Sequence, residues 1–194
     1  MRTLLSPLFL LFPLCIYAQK GNIALTQRTG VNISTISSPD NSPFRFKSLA
    51  SLSAGVGVEY YLLNKMSASA EVYYSQTGFK EMHETESYTA IFRNDFIDIP
   101  LVLRYYLWGD RLNILLGGQL GIRVGDPDTV YRTYNIFDRF NWGIPVGIGY
   151  NFKFGLLLEA RYTQGLSNIF PESSHKTTSR SFLISCGYKF NLRK

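Results

Sequence analysis

Apolar residues alternate with polar or small residues along most of the chain, in segments of roughly ten residues. The segment 52–62 shows the pattern plainly, because its odd positions hold serine, glycine, glutamate and tyrosine. Its even positions are Leu52, Ala54, Val56, Val58, Tyr60 and Leu62. A period of two is typical of a β-strand with one apolar face. Eight such segments follow one another, with no convincing helix pattern between them, so the chain is predicted to be all-β.

The connections between these segments are alternately short and long. The short ones cover residues 63–65, 108–111 and 153–155, and the long ones cover about 34–47, 78–94, 125–139 and 166–180. Short turns at one end and long loops at the other are typical of barrels of the bacterial outer membrane. We therefore predict an eight-stranded antiparallel up-and-down transmembrane β-barrel, with short periplasmic turns and long extracellular loops. An even number of strands places both chain termini in the periplasm.

The alternation alone does not decide which face of the strands points outward, because a soluble barrel would hide the apolar face and a membrane barrel would expose it. The eight apolar faces contain no Asp, Glu, Lys or Arg. A charge facing lipid near the bilayer midplane costs about 2–4 kcal/mol, so this absence favours lipid contact. Aromatic residues also gather where these faces approach the short turns or the C-terminus. They are Tyr60, Tyr105, Tyr150, Phe152, Tyr188 and Phe190.

The opposite faces of the strands carry a small and nearly balanced set of charges. The set comprises Arg28, Glu59, Glu71, Asp98, Arg104, Arg123, Glu159, Arg161 and Lys189. Unpaired charges are costly to bury, so we expect these acids and bases to pair inside a narrow lumen. Pro100 and Pro145 interrupt this regular pattern, since proline cannot donate to a strand ladder. A β-bulge is expected at each of these two prolines.

The N-terminus has the features of a secretory signal peptide: a basic start, an apolar run over residues 4–16 and a small residue, Ala18. Cleavage is predicted after Ala18, which leaves residues 19–194 as one outer-membrane barrel domain. The mature chain then has a charge of +5, since Arg2 is removed from a chain of +6. It keeps one of the two cysteines, Cys186, so it cannot form an intramolecular disulfide. Aromatic content of 15% excludes a disordered chain.

Several short motifs occur in an order and spacing that resemble a known family. They are GVNIS at 30–34, GVGVEY at 55–60, EVYYSQTG at 71–78, IDIPL at 97–101, GIGY at 147–150, EARYTQGL at 159–166 and GYKF at 187–190. Together they resemble the PorT-like outer-membrane β-barrel proteins of Bacteroidetes. The resemblance implies a non-enzymatic component of a Gram-negative outer membrane, without catalytic residues or cofactors. The namesake of the family takes part in type IX protein secretion, so envelope or secretion proteins are expected partners beside the lipid bilayer.

The third long loop is the candidate for contact with a partner or for surface adhesion, since mixed charges and aromatics suit protein interfaces. The candidate residues are Tyr131, Arg132, Tyr134 and Phe137. A solvated loop packed on itself is the alternative interpretation. A narrow pore is a further alternative, although an eight-stranded barrel is just wide enough to be filled by side chains. Inward-facing Tyr61 and Tyr73 are expected to help fill it.

Enzymatic, metal-binding and nucleic-acid-binding functions have weaker support. The two histidines, His83 and His175, both fall in predicted outer loops, so a lipid-modifying enzyme is a less favoured alternative. Asp126 and Asp128 are two carboxylates, fewer than the 6–8 oxygens that Ca²⁺ usually takes, so no metal site is predicted. The basic excess is small and contains no Lys/Arg run, so nucleic acid is not an expected partner.

Overall fold

Eight antiparallel strands close into a barrel in the computed structural model, which describes residues 22–37, 45–82, 89–108, 111–124, 139–168 and 177–192. The strands are β1 (Ile23–Ile36), β2 (Arg45–Leu63), β3 (Met66–Met82), β4 (Thr89–Trp108), β5 (Leu112–Val124), β6 (Phe140–Asn151), β7 (Leu156–Gly165) and β8 (Ser179–Asn191). Each strand pairs with the next in sequence, and β8 pairs with β1. The predicted fold class is confirmed.

The first and last strands seal the barrel along their whole length. Their register runs from Ala24 opposite Asn191 to Ile36 opposite Ser179. A closed barrel satisfies the backbone hydrogen-bonding groups of every strand and leaves no open edge, which is what a spanning sheet requires in lipid. Among the described residues, no helix is long and apolar enough to cross a membrane.

The outer surface of the barrel is apolar and the interior is polar. Leu52 and Leu101, on the predicted apolar faces, are 71% and 61% exposed. Glu59, Glu71 and Arg104, on the opposite faces, are only 1–3% exposed. This arrangement is the inverse of a soluble barrel, because water would favour the apolar side chains inside. The observed orientation therefore requires an apolar medium around the barrel.

One predicted connection is largely strand. The segment 78–94 was expected to be a long loop, but β3 continues to Met82 and β4 begins at Thr89, and these two residues pair. The start of β2 extends to the same level, because Arg45 also pairs with Met82. Beyond the bilayer the outward face meets water, so hydrophobic alternation fades while backbone pairing continues. A prediction based on alternation therefore ends the strands too early.

The bulges predicted at the two prolines are wrong. Pro100 pairs with Gln119 of β5 in an unbroken ladder. On its other side the ladder with β3 is interrupted after Ala70 and resumes at Tyr73 without a change of register. Each residue of an antiparallel strand bonds to one neighbour only, so proline loses a single bond and needs no extra residue. Pro145 has the same arrangement, paired with β7 and interrupted toward β5.

Candidate functional site in the barrel lumen

Five charged side chains from four strands meet in the middle of the lumen and form what we term the central cluster. Its members are Arg28 on β1, Glu71 on β3, Arg104 on β4, and Glu159 and Arg161 on β7. Each arginine contacts both glutamates. The distances to Glu71 are 3.1, 2.6 and 2.7 Å from Arg28, Arg104 and Arg161, and those to Glu159 are 3.0, 2.6 and 2.6 Å. The cluster therefore links strands across the barrel.

Inward-facing glycines provide the space for these long side chains. A Cβ atom added at Gly187 would lie 2.8 Å from Cγ of Arg28, and one added at Gly57 would lie 2.8 Å from Cγ of Glu71. The inward face of a small barrel has room for side chains from only some of its strands. Glycine on one strand thus accommodates the charged side chain of its neighbour.

Neutral groups complete the hydrogen bonding of the central cluster. Arg28 Nη1 donates to the Tyr73 hydroxyl at 3.2 Å, and Arg104 Nη1 donates to Asn113 Oδ1 at 3.4 Å. The Arg161 guanidinium lies 5.5 Å from the centre of the Tyr73 ring, a cation–π distance. The charged side chains are 1–3% exposed. Dense pairing of this kind is what a group of buried charges needs to offset its lost hydration.

A second ion pair lies closer to the short turns. Lys189 Nζ contacts Glu59 Oε2 at 2.8 Å and donates to the hydroxyls of Tyr61 at 2.8 Å and Tyr106 at 3.0 Å. Ser67 and Tyr106 each donate to Glu59 Oε1 at 2.5 Å. The ammonium group also lies 4.9 and 5.4 Å from the ring centres of the two tyrosines, which stack on each other. This Lys189 pair forms a second layer across the lumen.

The remaining two residues of the predicted charge set lie apart from both layers. Asp98 is closer to the long loops than the central cluster, and Ser75 Oγ donates to its carboxylate. Arg123 lies opposite Phe96 near the end of β5, and its backbone N–H donates to the carbonyl of Arg139 at 2.9 Å. The structure thus separates the nine predicted residues into a cluster of five, a pair and two others. The neutral partners Ser67 and Asn113 were missed, although they occupy inward-facing positions in the sequence pattern.

Other candidate positions lie outside the described residues. They are the loop residues Tyr131, Arg132, Tyr134 and Phe137, the histidines His83 and His175, the carboxylates Asp126 and Asp128, and the segment 1–18. Within the described part of the chain, no group of three or more His, Cys, Asp or Glu residues is placed to hold a metal ion.

The sequence profile of a family described as "Outer membrane protein beta-barrel domain" matches residues 17–171. This match covers most of the chain and agrees with an apolar exterior around a closed, charged interior. The chain belongs to this outer-membrane β-barrel family. No curated protein is significantly similar to this outer-membrane barrel in sequence.

Solved outer-membrane barrels share its architecture. OprG from Pseudomonas aeruginosa is 14% identical with a TM-score of 0.53, covering 89% of this chain and 97% of OprG. AlkL in lipid bilayers is 16% identical with a TM-score of 0.54, covering 91% of this chain and 93% of AlkL. Ail, the attachment invasion locus protein of Yersinia pestis, is 12% identical with a TM-score of 0.50, covering 89% of this chain and all of Ail. At these identities the likeness shows the fold alone.

Aromatic side chains mark the two surfaces of the bilayer on this outer-membrane barrel. Near the short turns they are Tyr60, Tyr105, Tyr150, Tyr188 and Phe190, and near the long loops they are Tyr74, Tyr162 and Phe182. Just beyond the second band the outward face becomes polar: Gln76 Nε2 donates to Asp95 Oδ1 at 3.1 Å, and Tyr162 donates to Gln164 at 2.8 Å. Amphipathic rings at headgroup depth define the membrane-spanning segment, and the central cluster lies between them.

Proposed function

We propose that this protein is a non-enzymatic component of the outer membrane that acts through its loops and protein partners, with protein secretion as the setting. The PorT-like motifs support the secretion setting. The charged lumen favours a function through the loops over transport through the barrel, because a barrel filled by its own side chains has little room for a solute.

The closed lumen is the observation that carries the proposal. The central cluster and the Lys189 pair occupy successive layers of the barrel. On the long-loop side of the cluster, the described residues around Asp98 and Gln119 line small cavities of about 20 Å³ each. A cavity of this size holds about one water molecule. A path for ions or nutrients would require the paired arginines and glutamates to separate inside the membrane.

Conductance of the purified full-length protein in planar lipid bilayers tests the closed lumen. We expect no stable channel of porin size, since opening one would break several of the buried ion pairs. A known porin reconstituted in the same bilayers serves as the positive control. A steady open channel in the wild-type barrel would refute the proposal and favour the pore.

Partner proteins test the secretion setting. The protein carrying an affinity tag in an extracellular loop would be extracted from native outer membranes in mild detergent and its partners identified by mass spectrometry. We expect enrichment of secretion components relative to another tagged eight-stranded barrel from the same membranes. Enrichment that matches this control barrel would contradict the proposal.

Surface adhesion is a second candidate function, supported by the hairpin formed by the ends of β3 and β4. The paired strands continue about eight residues past Tyr74 to Met82, or about 26 Å along a strand at roughly 3.3 Å per residue. Replacing residues 80–91 by Asn-Gly would shorten this hairpin to a two-residue turn after Phe79. If adhesion is the function, cells carrying the shortened protein lose attachment while barrel folding is kept.

A further inference from the structure

A cavity of about 860 Å³ opens at the short-turn end of the barrel, facing the periplasm. Its lining comes from all parts of that end: the start of β1, the turns after β2, β4 and β6, and the end of β8. The lining includes Asn22, Asn64, Arg111, Asn151, Lys153 and Asn191. The volume lies within the range of about 300–1,000 Å³ typical of ligand pockets. We call this cavity the periplasmic mouth.

Backbone hydrogen bonds hold the rim of the periplasmic mouth together. The Tyr61 N–H donates to the Asn22 carbonyl at 3.0 Å, and the Asn151 N–H donates to the Arg111 carbonyl at 2.8 Å. The Lys189 N–H donates to the Gly155 carbonyl at 2.8 Å. Neighbouring turns are thus tied to each other around the opening. The mouth is therefore a preformed feature of the barrel, which lowers the entropy cost of binding.

The charges at this end of the barrel are strongly biased toward positive. Among its described residues the bases are Lys65, Arg111, Lys153 and Lys189, whereas the acid is Glu59, already paired with Lys189. In the sequence, Asp110 adds one acid to the turn after β4, and Lys20, Arg193 and Lys194 flank the terminal strands. The long connections at the other end, about 34–47, 78–94, 125–139 and 166–180, together hold equal numbers of acids and bases. Counted along the sequence, the +5 charge of the mature chain therefore comes from the segments next to the short turns and the chain ends.

We propose that the periplasmic mouth binds an acidic peptide segment of a partner protein. This inference rests on the proposed function, because it names the class of partner that the barrel would engage. Arg111 and Lys153 attract the carboxylates of the segment, and the amides of Asn22, Asn64 and Asn191 offer both donors and acceptors to its backbone. Lys189 lies at the floor, where its three protons already have acceptors in Glu59, Tyr61 and Tyr106.

The geometry favours a peptide over a lipid headgroup. The lining extends from Lys189 and Tyr61, which bond to each other inside the barrel, out to the exposed Leu62 and Leu63 at the rim. A single phosphate or carboxylate would leave most of the cavity unfilled. An extended segment of several residues places carboxylates along the rim and reaches bases on separate turns. Electrostatic attraction of this kind also accelerates the encounter with a partner.

A binding measurement with a defined probe tests the inference. The full-length barrel would be placed in nanodiscs of zwitterionic lipid, and binding of a fluorescein-labelled Asp-Ser repeat of eight residues would be followed by fluorescence anisotropy at low salt. We expect binding that weakens as salt is added, because salt screens exposed charges. The double variant Arg111→Gln with Lys153→Gln should bind about thirtyfold more weakly, since it loses two attractions of about 1 kcal/mol each at contact in water and every 1.4 kcal/mol is tenfold.

Matched variants at the opposite end provide the control. Lys47→Gln with Arg93→Gln removes the same charge from exposed positions near the long loops and should leave the affinity unchanged. Equal loss in both double variants, or no binding to the wild type, would overturn the inference. Displacement of the peptide by inorganic phosphate that clearly exceeds the displacement by sodium chloride at the same ionic strength would overturn it in favour of a small-anion site. Conductance of the same protein in planar bilayers tests the closed lumen separately. The failure of the peptide inference and the failure of the proposed function can therefore be told apart.

Discussion

Glu159 accepts hydrogen bonds from all three arginines of the central cluster, so removing its charge directly perturbs the ion pairs of the lumen. Its carboxylate oxygens lie 2.6 Å from Arg104, 2.6 Å from Arg161 and 3.0 Å from Arg28. Glu159→Gln keeps the size of the side chain but removes the negative charge. It also turns an amide N–H₂ toward guanidinium donors. The variant leaves three buried arginines with Glu71 as the remaining acid of the cluster.

The expected loss of stability is about 3 kcal/mol. Removing one partner of a buried ion pair typically costs about 3–5 kcal/mol, because the remaining charge loses its compensation. The lower end applies here, since the glutamine carbonyl still accepts one hydrogen bond and Glu71 still contacts each arginine. Equilibrium urea unfolding of the full-length protein in lipid vesicles measures this difference as a shift of the midpoint at constant slope.

A second substitution separates charge balance from mere loss of contacts. Arg28→Gln in the Glu159→Gln background restores the net charge of the central cluster, and it removes a buried Nε atom that has no hydrogen-bond partner among the described residues. We expect the double variant to be more stable than the sum of the two single effects predicts, by about 1 kcal/mol or more. A loss below 1 kcal/mol for Glu159→Gln, or additive single effects, would refute the reasoning.

Two further predictions concern the inner and outer surfaces of the wall, both measured by the same urea unfolding. Gly55→Ala should destabilise the barrel by about 1–3 kcal/mol, because its Cβ would lie 2.6 Å from the Tyr73 ring, whereas Gly118→Ala, with no atom within 4 Å, should change little. Leu101→Arg in the middle of the lipid-facing surface should cost about 2–4 kcal/mol, and Leu107→Arg near the short turns about 0–1 kcal/mol. Equal effects within either pair would contradict the assigned faces.

The sequence pattern determined the number of strands, their order and the side of each strand that faces lipid. These features follow from a single cause, since side chains alternate between the two faces of a strand and lipid excludes charge from one of them. The positions of Leu52 and Glu59 on opposite faces of β2 can be predicted from the sequence for this reason. Where the outward face meets water instead of lipid, as beyond Tyr74 on β3, the alternation fades and the strand ends were misplaced.

Only the tertiary structure decided how the inward charges combine. Arg28 and Glu159 are 131 positions apart in the chain, and their 3.0 Å contact depends on the stagger of all the strands between them. The sequence pattern likewise did not separate the Lys189 pair from the central cluster, or place Arg123 apart from both. Alternation shows which face a side chain occupies, but its depth along the barrel axis depends on register and closure. The sequence did not predict the basic periplasmic mouth for the same reason, because Arg111 and Lys153 become neighbours only when separate turns meet around one opening.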